Sequence, residues 1–165
     1  MFDMFFPDKY VASTYIIDFE RLYKDGYRGL IFDIDNTLVP HGAPADDRAV
    51  ALFARLKAIG FRCCLISNNQ EPRVKMFNRD IGVDYVYDAH KPSTKNYLKA
   101  MEIMGTDRSN SLFIGDQLFT DVWGAKRAGI GNIVVKPIHP KEEIQIVLKR
   151  YLERIVLHFY KKSLR

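Results

Sequence analysis

The sequence predicts an α/β fold in which a mostly parallel, five-stranded sheet carries helices on both faces. Three observations lead there. Short apolar runs recur at 29–32, 62–66, 85–87, 112–114 and 133–135, and strands covered on both faces read as continuous apolar runs rather than as alternating ones. Segments of helical period separate them. The connections are short, as expected where parallel strands are joined by right-handed crossovers.

Residues 1–27 are dense in aromatics, among them Phe2, Phe5, Phe6, Tyr10 and Tyr15, and rings in such number need a surface to cover. They are expected to form an extension packed on the sheet. It contains a short helix over 18–23, capped by Asp18 and stopped near Gly26. The opening is short and acidic and lacks the basic start of a secretory signal. After the strand at 29–32, the turn-rich stretch 39–44 leads to a helix over 46–59. There Val50, Phe53, Leu56 and Ile59 recur at helical spacing, and Gly60 ends the run.

The strand at 62–66 ends in Ser67-Asn68-Asn69, and Pro72 opens the next helix. A third strand at 85–87 passes through Asp88-Ala89-His90-Lys91-Pro92 into a helix over 93–104 with Tyr97, Leu98, Met101 and Met104 on one stripe. The strand at 112–114 ends in Gly115-Asp116-Gln117, and a helix of about ten residues, an ordinary length, runs to Gly129. A fifth strand at 133–135 precedes one long helix over 141–165. In that helix Ile144, Leu148, Tyr151, Leu152, Ile155 and Phe159 form the stripe expected to dock on the domain. Ile146, Val156, Leu157 and Tyr160 then fall on the far side among Lys149, Arg150 and Arg154. A second apolar face calls for a second contact: a partner subunit, the N-terminal aromatics or a membrane surface.

The 165 residues suffice for one domain with its own core. It comprises the extension 1–27, a catalytic core 28–137 and a basic amphipathic helix 138–165. The net charge of +5 is localised: eight of the 25 basic and three of the 20 acidic residues lie within 136–165, and the remainder is balanced. This suggests an anionic partner or a solvated helix face. No recognisable nucleic-acid module accompanies the charge. Cys63 and Cys64 are neighbours that could not pair without strain, which points to reduced thiols and a cytoplasmic setting. No run is long enough to span a bilayer, so membrane contact would be peripheral.

Four strand ends carry chemistry, in order: Asp33-x-Asp35, Ser67-Asn68, Lys91-Pro92 and Asp116 followed by Asp121. A lone Asp-x-Asp is often an ordinary turn, but in a parallel sheet all four ends gather at one edge, where ligands bind. Close carboxylates are costly unless a proton or cation divides them, and hard oxygens suit Mg²⁺. Acids, a hydroxyl and an ammonium are what phosphoryl transfer requires, and a carboxylate nucleophile divides hydrolysis into two easier steps.

With these motifs in this order, residues 28–137 resemble the haloacid dehalogenase (HAD) superfamily, which implies a Rossmann-like three-layer sandwich. The resemblance implies Asp33 as nucleophile and metal ligand. Asp35 would be the general acid and base and would offer its main-chain carbonyl to Mg²⁺. Ser67, Asn68, Asn36 and Lys91 would contact substrate, Asp116 would complete the metal site, and Asp121 would support Asp116 or Lys91 from behind. In this superfamily a cap domain is inserted after the first or second motif. The intervals 38–61 and 69–91 are too short for one, so the site is expected to be open.

The stretches Phe5-Phe6-Pro7-Asp8-Lys9-Tyr10-Val11, Asp33-Ile34-Asp35-Asn36-Thr37-Leu38-Val39 and Gly115-Asp116-Gln117-Leu118-Phe119-Thr120-Asp121-Val122, with Ser67-Asn68-Asn69 and Arg73-Val74, are similar to the capless class III phosphatases related to phosphatidylglycerophosphate phosphatase. That similarity implies a Mg²⁺-dependent phosphomonoesterase acting on phosphatidylglycerophosphate, free of any cap, with the last helix on anionic phospholipid or on a second copy. The alternatives are a soluble phosphoester (nucleotide, sugar or nucleic-acid end) and a receiver-like phospho-acceptor. His41 and His90 are expected as solvated loop residues. Arg73 is expected either to grip a second phosphate or to be an exposed first-turn arginine.

Overall fold

The computed structural model describes residues 2–139 and 144–165. Among these, six strands form one sheet: β1 (Lys9–Val11), β2 (Gly29–Phe32), β3 (Arg62–Ile66), β4 (Asp84–Val86), β5 (Ser111–Gly115) and β6 (Gly131–Val135). Their order is β1-β6-β5-β2-β3-β4, with every pairing parallel. The α/β class is as the sequence predicts. The strand count is one higher, because the aromatic extension supplies edge strand β1.

Periodicity could not reveal β1, since three residues show no pattern and polar groups fix its place. Asn132 donates from its backbone and side-chain nitrogens to Asp8 Oδ2 at 3.0 and 3.1 Å, and the Asp8 amide donates to Asn132 Oδ1 at 3.0 Å. These bonds tie the start of β1 to β6.

The helices are α1 (Phe19–Lys24), α2 (Asp47–Ile59), α3 (Glu71–Asn78), α4 (Lys95–Met104), α5 (Trp123–Ala128) and α6 (Ile144–Ser163). The one expected before Gly129 divides into a π-helical turn, Leu118–Val122, followed by α5. Asp46 caps α2 by accepting from the Ala49 amide, and Gly60 closes it at a φ of 118°, a conformation that costs a residue with a Cβ more than it costs glycine. The expected start of the last helix at residues 141–143 lies outside the described residues.

Adjacent residues of each central strand enter opposite cores, as extended chain requires. Leu30, Phe32, Leu65, Leu112 and Ile114 face one side, with Phe53, Leu56 and Phe77. Ile31, Cys64, Ile66 and Phe113 face the other, with Tyr97, Met101 and Ala125. Each large side chain removed from water contributes about 1.5–3 kcal/mol, so β2, β3 and β5 form a stiff centre. The order reverses direction between β2 and β5, which opens a crevice beyond their carboxyl ends. Between β2 and β3 stands only α2, and between β3 and β5 only α3, β4 and α4, so no cap covers that crevice.

The last helix docks by the face opposite to the one its apolar stripe predicts. Glu153, Val156 and Tyr160 are buried, whereas Leu148, Tyr151, Leu152, Ile155 and Phe159 are exposed. The reason is polar. Glu153 Oε1 accepts from the Leu118 amide at 2.7 Å, and Arg150 donates to Glu153 Oε2 at 3.0 Å and to the Asp116 carbonyl at 2.8 Å. Turning the helix would break these buried bonds, a larger penalty than exposing a few apolar side chains. The N-terminal aromatics also meet α6, with Phe2 stacked on Phe159 and Phe6 edge-on to Tyr160.

Replacing Glu153→Ala should lower stability by about 2 kcal/mol, since it leaves the buried Leu118 amide without its acceptor and removes one of the partners of Arg150. It should also speed amide exchange along α6 relative to β2. Melting curves and hydrogen exchange would check both, and a sheet that loosens together with the helix would contradict this account.

Candidate active site

The Asp33 amide donates to the Ile114 carbonyl at 3.0 Å, which carries the β2–β5 pairing one residue beyond the strand. The chain then turns tightly. Asn36 adopts a φ of 60°, its amide donates to the Val39 carbonyl at 2.8 Å, and the Leu38 amide donates to the Ile34 carbonyl at 3.0 Å. The extension braces this turn from outside. Thr14 donates to the Thr37 carbonyl at 2.8 Å and Tyr15 to the Leu38 carbonyl at 2.6 Å, while burial pushes the Tyr15 hydroxyl up to about 12.

Lys91 is the centre of the site. Its ammonium donates to Asp33 Oδ1 at 2.8 Å and to Asp121 Oδ1 at 2.7 Å, with all three side chains almost fully withdrawn from water. Burial works against that charge, but Asp121 and Asp33 outweigh it and hold the ammonium well above its ordinary range. Burial pushes the Asp33 carboxyl up to about 6, with Lys91 opposing and Asp121 and Asp35 adding to the rise. Asp116 is likewise raised, first by burial, against the pull of Arg150.

Carboxylate oxygens of Asp33, Asp116 and Asp121 lie within 4.8 Å of one another. Three buried hard donors this close suit a divalent cation such as Mg²⁺, which would relieve the crowding that raises Asp33 and Asp116. Asp121 is the most committed of the three. Its Oδ2 accepts from the Asp116 and Gln117 amides at 3.1 Å each, and its other oxygen serves Lys91. Thr37 donates to Asp116 Oδ1 at 3.3 Å.

Asp35 points elsewhere. Its carboxylate accepts from the Gly42 amide at 2.8 Å, from Arg73 at 2.7 Å and from Asn69 Nδ2 at 2.6 Å. Burial would raise this carboxyl, but the Arg73 and Gly42 bonds together with the Arg73 charge outweigh it and hold it below the usual range. Ser67 is buried beside it, its Oγ accepting from the backbone and side-chain nitrogens of Asn69 at 3.1 and 3.0 Å. Asn68 pairs with the backbone of Lys91, accepting from its amide at 2.8 Å. Asn36 accepts from the His139 amide at 3.2 Å, a contact that ties the turn to the segment after β6.

A model of the haloacid dehalogenase-like hydrolases matches residues 43–129. The chain belongs to this family. A probable phosphatase of Bacillus subtilis, YqeG, is 35% identical over 160 residues, which cover 96% of this chain and 93% of that protein. Phosphatidylglycerophosphate phosphatase 1 of Arabidopsis thaliana, a chloroplast and mitochondrial protein, is 26% identical across 96% of this chain but only 48% of its own length. Among solved structures, the B. subtilis protein YfnB, assigned to the HAD hydrolases and crystallised with magnesium, shares the fold at a TM-score of 0.52. It is 16% identical over 69% of this chain and 90% of that one.

Thus the expected strand-end residues of this hydrolase do converge, in two groups. Asp33, Lys91, Asp116 and Asp121 form one, and Asp35 and Ser67 the other, bridged by Asn69, which was not among the expected site residues. Arg73 corrects the reading of an exposed first-turn arginine: it is largely buried and ion-paired with Asp35. Its place in the first turn after Pro72 could have suggested this, because that turn starts beside the end of β3. Arg150, which also pairs with the Asp116 carboxylate, gave no signal, since 34 residues separate the partners. His41 and His90 are exposed.

Two substitutions probe this geometry. A Cβ at Gly115 would collide with the Asp121 carboxylate, so Gly115→Ala should cost about 1–3 kcal/mol and displace Lys91, measurable as a lower melting temperature with reduced turnover. Arg150→Ala should tighten Mg²⁺ binding several-fold in calorimetric titration, because a cation that competes for Asp116 is gone; unchanged or weaker binding would count against it.

Proposed function

We propose that this hydrolase is a Mg²⁺-dependent phosphomonoesterase in which Asp33 attacks phosphorus and carries the phosphoryl group as an aspartyl-phosphate. The observation that supports this most directly is the buried Asp33 carboxylate, held at 2.8 Å by an ammonium that Asp121 anchors. That arrangement aims a fixed anion into the crevice and keeps a cation beside the phosphoryl oxygens. Asp33, Asp116 and the Asp35 main-chain carbonyl would hold Mg²⁺, which supplies positive charge against the phosphoryl oxygens. Asp121 keeps Lys91 and Asp116 in place.

Asp35 protonates the departing oxygen and later takes a proton from water. In the free site Arg73 and Asn69 hold it as a carboxylate, so the proton it gives is one taken up from solvent when the negative charge of the bound phosphoester raises its proton affinity. Ser67 has a hydroxyl proton to donate to a phosphoryl oxygen. Asn68 acts through the Lys91 backbone and Asn36 shapes the turn beside the substrate. Among the described residues, Arg73 Nε and Nη1 are buried with no hydrogen-bond partner, donors that an anionic substrate would satisfy. Residues 1–165 act as one unit, because both β1 and α6 pack on the same sheet edge.

The favoured substrate is phosphatidylglycerophosphate, the lipid in the name of the plant relative, met at a membrane by a cytoplasmic enzyme. The exposed side of α6 supports this. Leu148, Tyr151, Leu152, Ile155 and Phe159 form a strip with Lys149 on one border and Arg154 and Lys161 on the other. Glu153, the acid within α6, is buried and paired with Arg150. An apolar strip with basic borders suits an anionic bilayer surface, whereas a second copy placed on it would bring cations against cations. No helix among the described residues is long and apolar enough to cross a membrane.

Asp33→Asn should abolish hydrolysis of p-nitrophenyl phosphate and of phosphatidylglycerophosphate dispersions, by at least about 10³-fold, with the melting temperature retained. Turnover within a few-fold of the parent would overturn the proposal.

A further inference from the structure

One cavity shares Asp116 with the site, while the chemistry above makes no use of the rest of its walls. It has a volume of 610 Å³ and lies between the end of β6 and α6, with Asp116 in its wall. Leu118, Val134 and Leu157 line it as apolar surface, and Lys136, Arg150 and Arg154 add positive charge. Arg150 bonds both the carbonyl and the carboxylate of Asp116, so it stands where the cavity meets the acidic cluster. Val147 and Tyr151 line the cavity too, yet both are more than half exposed. The cavity therefore opens beside the apolar strip of α6.

Its size is that of a site for a whole small molecule rather than a single phosphate group. Its walls are wrong for a sugar, whose hydroxyls would lose water without gaining partners. Among the described residues the acids in its wall are Asp116 and Glu153, which Arg150 already serves. The remaining charge, on Lys136 and Arg154, would be offset by an anionic group on the occupant.

We propose that this cavity receives the leaving group of an amphiphilic phosphomonoester that carries a second anionic group, its apolar part along Val134 and Leu157 and that anion against Lys136 and Arg154. The assignment rests on the phosphomonoesterase reading and adds a substrate site to it. A substrate lying at a bilayer surface would enter past Val147 and Tyr151, with its phosphomonoester directed toward Asp33.

The test uses dihexanoyl phosphatidylglycerophosphate at concentrations where it is monomeric, so that association with a surface plays no part. Val147→Trp narrows the cavity mouth and Arg154→Glu reverses a charge in it. Each should raise KM for this ester at least tenfold more than KM for p-nitrophenyl phosphate. Equal shifts for the two esters would overturn the cavity assignment while leaving the phosphomonoesterase reading intact.

Calorimetric binding of dihexanoyl phosphatidylglycerol, which keeps the phosphodiester but lacks the monoester, tests the cavity without turnover. Saturable binding to the parent that weakens at least tenfold in both variants supports the assignment, even if neither ester is hydrolysed and the phosphomonoesterase reading fails. Absence of such binding, or binding unchanged in the variants, overturns it.

Discussion

The site depends on one buried cation shared between two acids. Lys91 lies in a loop after β4, Asp33 at the end of β2 and Asp121 in the π-helical turn after β5, so a single ammonium joins three separate crossovers. Removing that ammonium leaves buried carboxylates without their partner, at a cost of about 3–5 kcal/mol. That penalty makes the constellation self-consistent: each loop is held where the other two need it. Asn68 adds a fourth strand end by pairing with the Lys91 backbone.

The two ends of the chain stabilise this centre from outside it. Thr14 and Tyr15 satisfy carbonyls of the turn that follows Asp33, groups that would otherwise be buried without donors. Glu153 does the converse, accepting from the Leu118 amide at the start of the turn that carries Asp121. Sequence positions far from any catalytic motif thus control catalytic geometry. Their loss would reach the acids through backbone hydrogen bonds rather than through packing alone.

What could be read from the sequence follows the range of each interaction. Central strands and their helices are legible because their signals are local: apolar runs, helical spacing, and Asp46 and Gly60 at the two ends of α2. The convergence of Asp33, Lys91, Asp116 and Asp121 is legible because parallel topology brings strand ends together whatever the intervening residues. Strand β1 was not, since its placement rests on Asp8 meeting Asn132, 124 residues away. The docking face of α6 is illegible for a related reason. Amphipathicity ranks the faces by hydrophobicity, and the outcome was decided by Arg150 and Glu153, two charges whose partners lie on another element.

The register of the sheet also bears on the order of assembly during synthesis. Lys9 pairs with Ile133 and Val11 with Val135, so β1 leaves the ribosome well before the strand it joins. Until residues 131–135 emerge, the early aromatics have no edge to join and must wait as unpaired chain. Closure of that edge is a late, long-range event of the kind that slows folding, and it couples completion of the sheet to bracing of the catalytic turn by Thr14 and Tyr15.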